Sequence, residues 1–340
     1  MKTYSNRSKG IWQLVLPLIL ALTLFLLSGV SAGAKEVVLK LGHDQTIDHP
    51  YDLGCKMFAK NVETRTKGEV TIKIYPSAQL GNSAEQVEGL RMGTLDLSLA
   101  AYSHASAFIR ELTMFGAPFL FVNDQHFANV FDGEVGKILD EACQKRYEVR
   151  LLSTFTSGYR YMFNRKRHVF HEKDLVGLKI RVMGGEADAL TWKVFGAIPA
   201  PMPYSEVYSA LQAGVIDGAE NEPVSVMANK FYEPCPYFAQ TEHLVLPMGF
   251  FMSVKTLKKL PEKYHKIFFE EGQKAAVWER AYITKKNKDT LDHMITKYGV
   301  MVTVVDKAVF IEKGKPIQEI VAKKFGLEDL LEKIKAATPK

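Results

Sequence analysis

From Val37 onward, apolar positions switch repeatedly between a two-residue and a helical period. Val37 to Leu41 reads as a strand that ends at Gly42. Residues 50–66 place Leu53, Met57, Phe58 and Val62 at helical spacing, and Lys67-Gly68-Glu69 stops that helix. Val70, Ile72 and Ile74 then alternate with polar residues up to Pro76, the pattern of a half-buried strand. A second helix is predicted over 83–92 and a third strand over 95–101. This alternation predicts an α/β domain with a largely parallel sheet.

The pattern resumes near Leu151. Strands are predicted over 151–155, 161–163 and 179–182, helices over 186–195 and 204–213, and a further strand opens at Ala219. Residues 244–254, apolar but for Ser253, read as a strand returning to the first domain. Residues 261–298 carry a long stripe through Ile267, Phe268, Ala275, Val277, Trp278 and Tyr282. A late strand over 300–305 and a helix over 315–336 follow. A chain that leaves one α/β domain, builds a second and returns makes two lobes with a cleft between them. Ligands in such folds bind outside the carboxyl ends of the strands, and such clefts close by hinge motion.

Composition sharpens this picture. The 340 residues are 47% hydrophobic, enough for two cored domains. Lys2, Arg7 and Lys9 precede the apolar run Ile11–Leu27, and Ala32-Gly33-Ala34 offers a cleavage site, so residues 1–34 read as a secretory signal peptide. The apolar run is 17 residues with a proline inside, short for a membrane span. Removing residues 1–34 takes away three basic residues and no acidic ones, so the charge falls from +6 to 41 − 38 = +3. Mild basicity suits an anionic ligand. No dense basic tract with interleaved aromatics points to nucleic acid. Cys55, Cys143 and Cys235 are odd in number and show no C-x-x-C spacing, which leaves at least one free thiol and indicates no zinc or redox motif.

The chemistry centres on Arg181. It closes the apolar run Lys179–Val182, and a proline-led helix followed by Gly214–Asn221 ends a second strand on Glu220-Asn221. A guanidinium and a carboxamide thus stand at two strand ends, and arginine presents a planar fork that fits a carboxylate at two points.

An ordered set of short segments resembles one family. It comprises His43-Asp44-Gln45 with His49-Pro50, Tyr75–Gly81, Ala117–Phe121, Asp132–Gly136, Asp174–Val182, Ser205–Asn221 and Lys230–Glu233. In these the chain resembles the solute-binding proteins of tripartite ATP-independent periplasmic (TRAP) transporters, of the DctP type. The resemblance implies an α/β, two-lobed periplasmic-binding-protein-like fold with a hinged cleft and a long bridging helix. It implies a periplasmic receptor, not an enzyme, that captures a small organic acid and delivers it to the small and large TRAP membrane subunits of an ion-gradient-driven permease. Lobe I is placed at 35–158 plus 247–286, and lobe II at 159–246 plus 287–340. Arg181 matches the arginine that clamps the ligand carboxylate, Arg160 a second arginine near it, Asn221 the completing asparagine, and Tyr204 a ring against the ligand. Asp44 and Glu85 match first-lobe positions that meet the ligand's polar end. His43 and His243 are further candidates for lining the cleft. Where some members place a glutamate after the third strand, this chain has Ala101-Tyr102, which speaks against carrying over a sugar-acid specificity.

Rival readings are a receptor serving a signalling protein, and a secreted metal-dependent hydrolase using His43, Asp44 and His49. The two histidines stand six apart across a loop, without the helical spacing of a zinc site. No nucleophile elbow, Walker loop or dinucleotide fingerprint is present. The sequence therefore predicts no catalytic residue, metal or cofactor.

Overall fold

The alternating run Val37–His43 forms β1, and the computed structural model describes the chain from residue 36 to residue 339. The leader predicted over residues 1–34 lies outside the described residues. After β1 come α1 (Pro50–Arg65), β2 (Val70–Tyr75), α2 (Ser83–Met92) and β3 (Leu97–Ala101). Pro50 suits the first turn of α1, where its missing N–H costs nothing, and the His49 ring accepts from Tyr51 N at 3.2 Å. Residues 102–147 add α3 (Tyr102–Ala105), a 3-10 segment (Arg110–Gly116), α4 (Asp124–Asp132) and α5 (Glu134–Tyr147). With β4 (Val149–Tyr159) and the distant β10 (Val245–Ser253), these strands make a sheet of order β2-β1-β3-β10-β4. β1 and β3 are parallel, while β10 runs antiparallel to β3 and β4. The sequence predicts a largely parallel sheet; the sheet is mixed because β10 re-enters from the side at which β1 and β3 end.

The second sheet has the order β11-β9-β5-β8-β6-β7. It is built from β5 (Tyr161–Asn164), β6 (Lys179–Val182), β7 (Ile198–Pro201), β8 (Gly218–Asn221), β9 (Tyr237–Ala239) and β11 (Met301–Thr303). α6 (Glu186–Val194), α7 (Val207–Gln212) and α8 (Pro223–Ala228) accompany these strands. Ile180, Val182 and Trp192 lie in one core cluster of this lobe, and Phe163, Leu211, Ile216 and Phe238 in another.

Three stretches cross between the sheets: residue 160, residues 240–244, and residues 254–300 between β10 and β11. After the short α9 (Val254–Lys259), the helix α10 (Glu262–Tyr298) runs 37 residues, about 55 Å at 1.5 Å per residue. It packs on α1 and β4 of the first lobe and on α8 of the second. Asn287 of α10 ties both: its Nδ2 donates to Ser157 O at 2.9 Å and its Oδ1 accepts from Val224 N at 3.1 Å. Gly158 has φ +73°, and a Cβ there would stand 2.8 Å from Asn287 Nδ2. Only glycine combines that backbone with that approach.

Where the sequence predicts one helix over 315–336, there are two, α11 (Lys307–Phe325) and α12 (Glu328–Ala336), because Gly326 takes a left-handed conformation between them. The sequence boundaries assign residues 287–340 to lobe II. Ile317, Val321, Leu330, Leu331 and Ile334 instead share a core with Leu112, Phe115 and Leu139 of the first lobe, while Phe310 stays with Trp192 and Phe195. The apolar face of the C-terminal helices covers the helical layer of the first sheet, a partnership invisible to local pattern.

Candidate ligand-binding site

Strand alternation places Arg181 on the face of β6 opposite Ile180 and Val182, whose side chains enter the core. Arg181 is 1% exposed. Its Nε and Nη2 donate to Met202 O at 3.1 and 2.9 Å, and its guanidinium carbon stands 5.7 Å from the centre of the Tyr204 ring. Among the described residues no carboxylate lies within ion-pair distance of it. Burial lowers its pKa below the ordinary arginine value, and the charge of Arg160 adds to this against the pull of Glu220.

Arg160 is in the opposite situation. It sits in the first crossing segment, with its backbone N–H on Leu244 O of the second. Its side chain pairs with Glu220 through Nε and at 2.9 Å through Nη2, reaches Glu222 at 3.2 Å, and donates to Asn221 Oδ1. Burial opposes its charge, but Glu220 and Glu222 raise its pKa. The same exchange holds Glu220 at about 2, where Arg160 and His243 outweigh burial. Arg160 is thus internally neutralised, and its N–H groups already have acceptors.

Asn221 ends β8 with its Nδ2 donating to Tyr204 Oη at 3.2 Å. The same hydroxyl accepts from Asn229 Nδ2 at 2.9 Å, and Asn229 also reaches Gln45 Oε1 of the first lobe at 3.3 Å. Arg181, Asn221, Tyr204, Arg160 and Asp44 line one small chamber of about 30 Å³, together with Gln45, His104 and the apolar Met183, Leu246 and Met248. A chamber of about 330 Å³ shares Asp44, His104 and Tyr204 with it and continues past Asn82, Ser83 and Ser205. A cavity of about 480 Å³ between residues 46–50 and α10 is lined by His49 of the rival hydrolase reading and by none of the residues expected to bind the ligand.

The remaining candidates divide. Asp44 accepts from Ser83 Oγ at 2.8 Å and faces both chambers. Glu85 lines neither; its carboxylate accepts from Asn82 N at 2.8 Å and closes the capping box of α2. His43 is fully buried behind the chambers, with Nε2 3.2 Å from Asp52 Oδ1. His243 lies in the second crossing segment, with Nδ1 2.8 Å from Thr241 Oγ1 and Nε2 3.5 Å from Glu220. It belongs to the Arg160–Glu220 cluster rather than to the chamber wall. His49 Nε2 lies 3.1 Å from Ser225 Oγ and so bridges the lobes.

Sequence reasoning misses Gln45, His104, Asn229 and the acids around Arg160. A signal exists for the acids: Glu220 and Glu222 flank Asn221 inside an apolar context, where charges need a partner. His104 stands two residues after the Ala101-Tyr102 pair, on a stretch with no periodic signal.

Residues 41–324 match the family described as bacterial extracellular solute-binding protein, family 7. A solute-binding protein of Verminephrobacter eiseniae is 30% identical over 308 residues, covering 90% of this chain and 91% of its own. The sialic acid-binding periplasmic protein SiaP of Vibrio cholerae is 28% identical, covering 88% of this chain and 92% of its own. A TRAP periplasmic solute-binding protein from Polaromonas, solved bound to D-erythronate, superposes with a TM-score of 0.85 at 30% identity, over 90% of this chain and all of that one. On this family match and fold, the chain belongs to the bacterial extracellular solute-binding proteins of family 7, the binding proteins of TRAP transport systems.

Proposed function

We propose that this protein captures a small organic acid in the periplasm by an arginine–carboxylate clamp and hands it, chemically unchanged, to the membrane subunits of a TRAP permease. The observation behind this reading is the contrast between two buried arginines. Among the described residues, Arg160 has two carboxylates, while Arg181 has only a carbonyl oxygen as hydrogen-bond acceptor. A buried charge is stable only when paired, and a ligand carboxylate is the partner Arg181 lacks.

The guanidinium has five N–H groups. Two point at Met202 O, which leaves three, on Nη1 and Nη2, for the ligand. Asn221 donates from the side and the Tyr204 ring covers the ligand body. Asp44 accepts from hydroxyls that extend into the outer chamber. Arg160, on the wall of the inner chamber, and His243, behind it, act by holding Glu220, while Glu85 and His43 stabilise the first lobe. The lobes hinge at residues 158–160 and 240–246, and closure joins Gln45 to Asn229 and His49 to Ser225. The inner chamber has room for a headgroup only, so the ligand body occupies the outer one. The ligands named for the two relatives, D-erythronate and a sialic acid, are hydroxylated carboxylates and fit this division.

Calorimetry against a panel of organic acids, with recovery of the ligand after incubation, tests the reading. Stoichiometric binding that Arg181→Ala abolishes, with ligand recovered intact, is the expected result. Binding that survives in Arg181→Ala, or equal binding of the methyl ester, overturns it.

A further inference from the structure

His104 is the third residue of α3, the single turn that follows β3. Tyr102, one residue into the same turn, is fully buried, and its hydroxyl lies 2.8 Å from Thr154 Oγ1. That anchor fixes the turn and leaves His104 on the wall shared by the inner and outer chambers. The ring Nδ1 is buried and, among the described residues, has no hydrogen-bond partner. A buried polar atom left without a partner, on a side chain that lines a ligand chamber, marks a residue where a ligand group completes the hydrogen bonding.

Three features identify that group. The inner chamber, about 30 Å³, is room for about two water molecules. Arg181 and His104 both face it, so whatever meets His104 lies within a bond or two of the clamped carboxylate. The ring is also neutral at pH 7: burial, and then the charge of Arg181, hold its pKa at about 4. A neutral imidazole pairs with a hydroxyl but does not neutralise a second carboxylate, and Asp44 on the same wall repels one. An ammonium group would face Arg181.

Resting on the carboxylate-clamp reading, we propose that His104 reads a hydroxyl on the carbon next to the bound carboxylate and makes the protein a receptor for 2-hydroxy monocarboxylates. The apolar side of the chamber, Met183, Leu246 and Met248, then packs against the remaining face of that carbon.

The test measures affinities of wild type, His104→Ala, His104→Asn and Arg181→Ala for D-erythronate, its 2-deoxy counterpart 3,4-dihydroxybutanoate, lactate, propionate and succinate. One hydrogen bond to a neutral group corresponds to about tenfold in affinity. Wild type is expected to prefer each 2-hydroxy acid over its deoxy partner by about tenfold or more, and succinate to bind weakest. His104→Ala is expected to erase most of that preference, and His104→Asn, whose amide reaches the Nδ1 position, to restore part of it. Equal affinities for hydroxy and deoxy acids in wild type overturn the inference even if the variants fail to fold. So does an equal loss for both acids in His104→Ala. In either case the clamp stands as long as Arg181→Ala binds nothing. Binding retained by Arg181→Ala overturns the clamp, and the inference with it.

Discussion

Met202 O accepts both Nε and Nη2 of Arg181, at 3.1 and 2.9 Å. One edge of the guanidinium is therefore spent on positioning, and the end formed by Nη1 and Nη2 is aimed by the same bonds. The chain from Met202 continues directly to Tyr204, so the bond that orients the cation also sets the ring above it. Lysine at 181 keeps the charge but cannot hold Met202 and a carboxylate at two points each. Arg181→Lys is expected to lose about 100-fold or more in affinity for every acid that wild type binds, as read by calorimetry. An affinity within tenfold of wild type would show that charge alone suffices.

The two buried arginines differ in what their removal leaves behind. Without Arg160, Glu220 and Glu222 remain buried with no cation between them. Breaking a buried pair in this way costs roughly 3–5 kcal/mol. Without Arg181, no carboxylate is orphaned. Arg160→Met is expected to lower the Tm of ligand-free protein sharply, while Arg181→Met leaves it unchanged or raises it. Thermal melts of the two purified variants decide this, and equal destabilisation would contradict the paired and unpaired assignments.

Asp188 gives a pH dependence with a definite sign. It lies on α6 facing Gly116 and Gly185, where any Cβ would crowd its carboxyl, and its Oδ2 is buried without a hydrogen-bond partner among the described residues. Burial, and then Glu220, raise its pKa from 3.8 to about 7. A raised folded pKa means that the folded state holds the extra proton. Its contribution is fully present below pH 3.8 and is lost as pH rises through about 7. Asp188→Asn, which cannot ionise, is expected to melt higher than wild type at pH 8.5 and to show little advantage at pH 5. An advantage of the same size at both values would mean that ionisation is not the cause.

Much of this architecture was legible because local pattern and tertiary role coincide. Val70 of the period-two strand 70–75 is buried with Ile72 and Ile74 half-buried, and Ile180 and Val182 enter the core on either side of Arg181. The stripe predicted for α10 holds in part: Ile267, Phe268 and Ala275 are buried, but Val277 and Tyr282 are exposed, because the buried face continues through Ala276, Glu279 and Ile283. Arg181, Asn221 and Tyr204 meet because strand ends and the turn after β7 converge on one chamber. Illegible features depend on partners far apart in sequence. Arg160 reads as a free cation until Glu220, sixty residues on, is placed beside it. His104 sits on a single helical turn with no periodic signal, and only the fold brings it opposite Arg181. The C-terminal helices look like a continuation of whichever lobe precedes them, and their true cover emerges only from packing.

Glu85 caps the start of α2. The resemblance places it at the ligand's polar end, yet its carboxylate accepts from Asn82 N while Asn82 Oδ1 accepts from Glu85 N at 3.1 Å. This reciprocal pair satisfies two backbone donors at the start of α2, and a negative charge there also suits the helix dipole. Glu85→Gln keeps the bond and loses only the charge, whereas Glu85→Ala loses both and costs about 1 kcal/mol. The expected pattern is a lower Tm for the alanine variant, a smaller change for glutamine, and ligand affinity within about threefold of wild type for both. A larger loss of affinity in Glu85→Gln, with Tm preserved, would place this carboxylate on the ligand after all and would require the cap to open when ligand binds.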